Sequence, residues 1–210
     1  MTDVLAFTPV YRLEPETVRA VLSLEREEAI SLLFQHDNPT GNPYLDHLHQ
    51  YQRARDLFLS GPYGAMLVIE SDIIPPPDTL TRLEALDCDV AYGCYQFRNN
   101  GVSNILQRYK PHPEPVRNLG ESLSVTPGLW KAARKQGIID CSGAGLGCIL
   151  IQRRVLEETP FVGAPTDPAK EYFDWHWTQA VFRKGYRMRA EMQVLCGHKN
   201  TDGVITWPPS

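Results

Sequence analysis

Ala65-Met66-Leu67-Val68-Ile69-Glu70-Ser71-Asp72 is the stretch that most restricts what this chain can become. A short apolar run rich in branched residues reads as a buried strand. The run ends in two carboxylates one residue apart, and Pro75-Pro76-Pro77 then prevents continuation as strand or regular helix. In an open α/β sheet, ligands gather at the carboxyl ends of the strands. Glu70 and Asp72 at such an end suggest a site for a hard cation with oxygen ligands. A polar, solvated turn is the plainer reading of the same residues.

The chain before this stretch alternates. Val4 to Thr8 reads as a strand, and Leu13 to Arg26 as a helix with Pro15 near its first turn and Val18, Val21 and Leu22 on one face. Ile30 to Gln35 reads as a second strand, followed by a loop from His36 to Pro43. Tyr44 to Ser60 has Leu45, Leu48, Tyr51, Leu57 and Phe58 at helical spacing, with Gly61 as its stop. This β-α-β-α-β order predicts an α/β fold with a mostly parallel central sheet, right-handed crossovers and helices on both faces.

Further on, Asp78 to Leu86 reads as a short helix and Asp89 to Tyr95 as a fourth strand. Asn99-Asn100-Gly101 predicts a tight hairpin turn. Lys110 to Gly128 is proline-rich and without period, which predicts a long loop of functional kind. Trp130 to Lys135 reads as a helical turn. Ile138 to Ile151 is two apolar runs joined by Gly143, Gly145 and Gly147. Glu157 to Ala169 reads as a loop, Asp174 to Lys184 as a helix ended by Gly185, and Arg187 to Leu195 as one or two strands. Cys196-Gly197-His198-Lys199 closes the fold, and Trp207 to Ser210 is left unassigned.

Composition excludes several classes. The formal charge of -4 gives no support to a general nucleic-acid or membrane-surface binder, although a local basic groove stays open. No apolar run is long enough to span a bilayer, and Met1-Thr2-Asp3-Val4 lacks the basic start of a signal segment. Cys88, Cys94, Cys141, Cys148 and Cys196 are odd in number, with no C-x-x-C spacing. That argues against a disulfide framework and a structural zinc site, and for buried thiols in a reducing, cytoplasmic compartment.

Other candidates compete with structural readings. Gly143-Ala144-Gly145-Leu146-Gly147 is not a dinucleotide fingerprint, because an apolar run follows where a helix is needed. Alternate glycines leave one face of an extended segment bare for another backbone or a ligand. His47 and His49 point about 200° apart on a helix, so they do not share an ion and read as surface residues. Arg53 and Arg55 are likewise two apart, so at most one faces a site. His36 and His112 stand in loops without a partner visible in sequence, whereas His198 follows a strand and a flexible Gly197. Asp174, among Tyr172, Phe173, Trp175 and Trp177, reads either as a helix cap or as a base made stronger by desolvation. Those aromatic neighbours also suit a sugar, or simple core packing.

In order and spacing these features resemble the nucleotide-sugar-dependent glycosyltransferases of the GT-A fold, of the large D-x-D-type family. The resemblance runs from Val4 to His198. Thr8-Pro9-Val10-Tyr11 looks like the family's opening nucleotide-contacting turn, and Asp37 stands where an acid near the base or ribose is common. The helix segment with Arg53 is similar to the one that leads into the metal-binding strand. Glu70-Ser71-Asp72 takes the place of D-x-D, with Glu for the first Asp. Gly143 to Leu156 looks like the glycine-rich segment bordering the acceptor site, its strand and its R-x-V turn. Asp174 matches the Asp of the E-D motif, with Phe173 where the family has Glu, and Gly197-His198 matches a late G-H pair.

The resemblance implies a single domain over residues 1–210. Residues 1–95 would bind nucleotide, and an elaborated half over 96–210 would bind acceptor and carry catalysis. It implies transfer of a sugar from a nucleotide-diphosphate sugar to an acceptor hydroxyl, with Mn²⁺ or Mg²⁺ held by Asp72, His198 and Glu70. Thr8, Pro9, Tyr11, Asp37, Arg53 and Ser71 would contact the donor. Asp174 would act as base, and Gly143, Ala144, Gly145 and Trp175 would border the acceptor. The acceptor stays open among a sugar, an alcohol, a lipid head group, a protein side chain and a base in nucleic acid, and so does the oligomeric state. Two other classes stay open: a nucleotidyltransferase, although Thr8 to Leu13 lacks its glycine- and lysine-rich phosphate loop, and a catalytically silent nucleotide- or carbohydrate-binding module.

Overall fold

The computed structural model describes residues 3–25, 30–97, 102–108, 120–124, 127–165 and 167–209. The first half follows the expected alternation. β1 (Val4–Pro9), α1 (Pro15–Leu22), β2 (Ile30–Gln35), α2 (Pro43–Ser60) and β3 (Ala65–Ile69) succeed one another, followed by the short β4 (Ile73–Ile74). Then come α3 (Thr79–Glu84), β5 (Val90–Cys94), β6 (Val102–Arg108), β7 (Gly120–Ser124) and α4 (Pro127–Gln136). β8 (Ile138–Ala144), β9 (Cys148–Gln152), α5 (Arg153–Glu158) and α6 (Asp174–Arg183) follow, and β10 (Met188–Leu195), β11 (Gly197–Lys199) and β12 (Ile205–Thr206) end the chain.

A nine-stranded sheet has the order β2-β1-β3-β9-β5-β10-β8-β6-β7. β2, β1, β3, β5, β10 and β6 run one way, and β9, β8 and β7 run against them. The α/β, mostly parallel expectation therefore holds by strand direction. A second sheet of three strands, β12-β11-β4, stands beyond the end of β3.

β3 is buried along its whole length, and its side chains alternate between two cores. Met66 and Val68 join Leu5, Phe7, Tyr51, Phe58, Val155 and Trp177 on the side of α2, α5 and α6. Ala65, Leu67 and Ile69 join Val4, Ala6, Val21, Leu80 and Leu83 on the side of α1 and α3. Period-two alternation in a strand covered on both faces is why this run contains no polar residue until it ends. No described helix is long and apolar enough to cross a membrane.

Several boundaries differ from the sequence expectation. α1 stops at Leu22, where Ser23 N donates to the carbonyls of Arg19 and Ala20; Arg26 lies outside the described residues. The expected loop over 110–128 is broken by β7 and by the start of α4, and its residues 110–119 lie outside the described set. Gly120–Ser124 carries no apolar period because β7 is an edge strand, paired on one side only, to β6. α4 is also longer than the helical turn expected from Trp130. The turn at Asn99-Asn100-Gly101 lies outside the described residues. Its flanks pair antiparallel at Gln96 and Ser103, with Phe97 N donating to Val102 O at 2.8 Å.

Arg153 fastens the end of α2 to the start of α5. Its Nη1 donates to Gly61 O (3.0 Å) and Tyr63 O (2.9 Å), and its Nη2 to Leu59 O (2.7 Å). The guanidinium also lies over the Phe58 ring at 5.5 Å. Leu59 O is among the carbonyls that the end of α2 leaves without intrahelical donors, and Gly61 and Tyr63 follow it directly. Arg153→Ala is expected to lower unfolding stability by about 1.5–3 kcal/mol, the range for hydrogen bonds from a charged group. Arg153→Lys should recover less than half of that, because one ammonium does not reproduce the planar fork. Urea unfolding checks this, and full rescue by Lys would show that charge alone matters.

Candidate functional site

The two acids follow β3 in a tight turn. Glu70 N donates to Gly147 O at 3.0 Å, and Ile73 N closes a turn back to Glu70 O at 2.9 Å. β4 then pairs antiparallel with β11, Ile73 opposite His198, and Lys199 N donates to Asp72 O at 2.8 Å. Backbone pairing thus carries a histidine from the end of the chain to the side of Asp72.

His198 is buried, with Nδ1 2.7 Å from the Gln96 carbonyl oxygen. A carbonyl only accepts, so Nδ1 carries a proton, and Nε2 is the ring nitrogen left to meet another group. Nε2 lies 3.7 Å from Asp72 Oδ2, and the Tyr95 ring meets the imidazole edge-on at 5.4 Å. Glu70 turns the other way, toward α2. Its Oε1 accepts from Tyr51 Oη at 3.1 Å and lies 3.5 Å from His47 Nε2. Among the described residues no group of three or more His, Cys, Asp or Glu side chains could hold a metal ion. Asp72 and His198 are brought together as a pair, and Glu70 does not join them.

These residues line a cleft of about 780 Å³. Its walls include Pro9 and Tyr11 after β1, Pro43, His47 and Gln50 on α2, Glu70, Ser71 and Asp72 after β3, Tyr95 and Phe97 after β5, Tyr172 and Asp174 at α6, and His198 and Lys199 on β11. Lys199 Nζ bridges Glu14 (2.8 Å) and Glu16 (2.7 Å), which ties β11 to the start of α1. The Lys199 ammonium holds both carboxyls below their ordinary range.

Asp174 is the first residue of α6 and reaches the cleft. Its Oδ1 accepts from Trp175 N at 2.8 Å, and burial raises its pKa above the ordinary carboxylate value. The helix-cap reading is not what the structure shows, because the capping position is Phe173. Trp175 is half-buried and outside the cleft lining, while Trp177 sits in the core with Nε1 donating to Thr159 O at 3.0 Å.

The remaining sequence candidates fall elsewhere. Thr8 is buried in β1 and does not line the cleft. Asp37 and Arg53 pair with each other at 2.6 Å, and neither is in the cleft lining. His49, 3.0 Å from Asp37, does most to hold that carboxyl low, with Arg53 second. Arg55 donates to Leu156 O and joins α2 to α5. Gly143 and Ala144 lie in β8, paired with β6, and with Gly145 they are absent from the cleft lining. The bare face beside them is filled by Tyr95. A Cβ on Gly145 would stand 2.3 Å from Tyr95 Oη, and one on Gly147 2.9 Å from Tyr95 Cζ. Gly147 N also donates to Tyr95 Oη at 3.2 Å. Here the glycine strip seats an aromatic ring that itself borders the cleft.

His47 is the main correction to the sequence reading. It is not a surface histidine but a cleft wall, packed against Tyr51, Tyr172 and Phe173. The separate placement of the two helix histidines does hold, His47 facing Glu70 and His49 facing Asp37. Pro43, His47 and Gln50 recur at i, i+4 and i+7, and that spacing is the signal that places them on one face of α2. Gln50 Nε2 in turn donates to Asn38 Oδ1 at 2.6 Å, and Asn38 also lines the cleft.

No family model matches the sequence, and no curated protein matches it. Among solved structures, the chain is similar to A197 from STIV, with a TM-score of 0.59 at 16% identity over 99% of this chain and 94% of that one. It is also similar to GalNAc-T7, solved with UDP, GalNAc and Mn²⁺, with a TM-score of 0.57 at 11% identity over 94% of this chain and 44% of that one. The likeness is one of fold: a GT-A-like α/β arrangement with a large central sheet flanked by helices.

Burial pushes His47 down to about 4, against a smaller upward pull from Asp72. The unfolded chain therefore binds more protons at this site than the folded chain between pH 6.5 and about 4. Folding stability is expected to fall as pH drops through that window, and His47→Gln should flatten the decline. Thermal midpoints of both proteins across the window check this; parallel curves would show that His47 does not titrate this way.

Proposed function

We propose that the protein is a glycosyltransferase that moves a sugar from a nucleotide-diphosphate sugar to an acceptor hydroxyl, with a divalent cation at Asp72 and His198. The observation that carries this is the pair itself. A carboxylate and an imidazole, its tautomer set by the Gln96 carbonyl, face each other at the carboxyl end of β3 on the edge of a large cleft. The fold likeness supports the reading, since GalNAc-T7, a structure of similar fold, was solved with UDP, GalNAc and Mn²⁺.

The donor set fits the ion. One oxygen and one nitrogen ligand suit Mn²⁺, with Mg²⁺ as the alternative. When bound, the cation offsets the negative charge that grows on the departing diphosphate. Glu70, held by Tyr51 and His47, would act through water rather than as a third direct ligand. Pro9, Tyr11 and Ser71 would line the donor, with Asn38 and Gln50 in place of Asp37 and Arg53. Thr8, buried behind Pro9, would shape that turn rather than touch the ligand. Asp174 would take the proton of the acceptor hydroxyl, its basicity raised by burial. Residues 1–95 would then form the donor half of one domain and residues 96–210 the acceptor half.

Release of free nucleotide from a panel of uridine-, guanosine- and thymidine-diphosphate sugars, with and without Mn²⁺, tests this reading. Asp72→Ala is expected to lower metal-dependent release by about a hundredfold or more, the usual effect of losing a group that stabilises developing charge. His198→Gln should cost about ten- to a hundredfold and weaken Mn²⁺ binding in parallel. Neither binding nor turnover of any donor, with or without metal, would sink the proposal. Full activity in His198→Gln would remove the histidine from the cation site.

A further inference from the structure

Tyr172 stands two residues before Asp174, lines the same cleft, and keeps 47% of its surface exposed. An aromatic ring this open costs little to orient only if its neighbours already hold it. Here they do. The Tyr44 ring lies 4.5 Å away, tilted by 55°, and the His47 ring meets it nearly edge-on at 5.5 Å and 80°. Tyr44 and His47 are one turn apart near the start of α2, and that start is itself fixed. Asn42 accepts from Tyr44 N and Leu45 N, and its Nδ2 donates to Ala169 O at 3.0 Å, on the segment that leads to Tyr172. Pro43 adds a second apolar surface to the cleft on the same helix. The same cleft is lined by the carboxylates of Asp174, two residues further on, and Glu70, while its basic groups Arg12 and Lys199 are each paired with Glu14.

From this geometry we infer that the acceptor is itself a sugar, a hexopyranose whose apolar face lies on Tyr172 while its hydroxyls reach Asp174. The inference rests on the transferase reading and narrows it to one acceptor class. The chemistry is specific to that shape. A pyranose presents a patch of C–H bonds on one face, whose slightly positive hydrogens meet the negative face of an aromatic ring. Its hydroxyls stand around the rim and can donate to a carboxylate such as that of Asp174. A flat lipid tail would leave Asp174 buried against hydrocarbon without a partner.

The test measures binding of methyl glycosides of glucose, galactose, mannose and N-acetylglucosamine by saturation-transfer NMR and titration calorimetry. Wild type, Tyr172→Ala and Tyr172→Phe are compared, and binding of uridine and guanosine diphosphate with Mn²⁺ is measured alongside. At least one glycoside is expected to bind wild type, to weaken about tenfold in Tyr172→Ala, and to stay near wild-type affinity in Tyr172→Phe, which keeps the ring. Nucleotide affinity should not follow the glycoside loss. The inference is overturned if no glycoside binds while nucleotide does, if Tyr172→Ala binds glycoside as well as wild type, or if that variant loses nucleotide and keeps sugar. Glycoside binding that depends on Tyr172 without any nucleotide binding would keep the platform and overturn the transferase reading. Loss of both in wild type would overturn both.

Discussion

The pairing of β4 with β11 is the contact on which the candidate site depends. Three residues of β11 are held between β4 and β12, and that small sheet alone brings His198 to Asp72. The pairing is short, so its strength comes from what packs on it. A Cβ on Gly197 would stand 2.8 Å from both Ile205 and Trp207, so those side chains lie directly on the β11 backbone. Lys199, two residues after Gly197, fastens β11 to Glu14 and Glu16 at the start of α1. The end of the chain therefore closes the site, and the histidine is as well positioned as the hairpin behind it is packed.

Tyr95 links this closure to the interior. Its ring fills the face left bare by Gly145 and Gly147, takes a hydrogen bond from Gly147 N, and meets His198 edge-on. Any side chain at those two glycines would displace the ring before it disturbed a ligand. The alternate glycines are thus explained by packing, and the packed ring is in turn part of the cleft wall. The two readings weighed for that segment, close packing and a ligand face, are joined through one residue.

Local pattern made most of the fold legible. β1, β2, α2 and β3 lie within a residue or two of where apolar period and turn residues placed them, because each buries a face that the sequence must show. β7 was not legible, because an edge strand paired on one side buries little and needs no pattern. The site divides along the same line. Asp72 and His198 could be named because strand ends and a late Gly-His are local signals, but their approach to 3.7 Å is set by long-range pairing. The resemblance places Asp37 near a base or ribose, and the chemistry of arginine suggests Arg53 for a phosphate or base. Their mutual ion pair is a tertiary fact that no spacing reveals. His47 is legible in the i, i+4, i+7 spacing that it shares with Pro43 and Gln50 on one helix face, a signal that its angle to His49 does not carry.

The inequality of the two acids follows from backbone geometry. The segment turns sharply after β3, with Ile73 N bonded back to Glu70 O, and the carboxylates at 70 and 72 have different nearest partners. Glu70 meets a tyrosine hydroxyl and an imidazole on α2, in a wall that is largely aromatic. Asp72 meets the strand that carries His198. A carboxylate against aromatic rings is stable there only with donors of its own, and Tyr51 is such a donor. The longer Glu side chain is what spans from the strand end to α2. An aspartate at 70, one methylene shorter, would leave the buried Tyr51 hydroxyl without its acceptor. Glu70 thus belongs to the helix wall, while Asp72 lies beside the histidine.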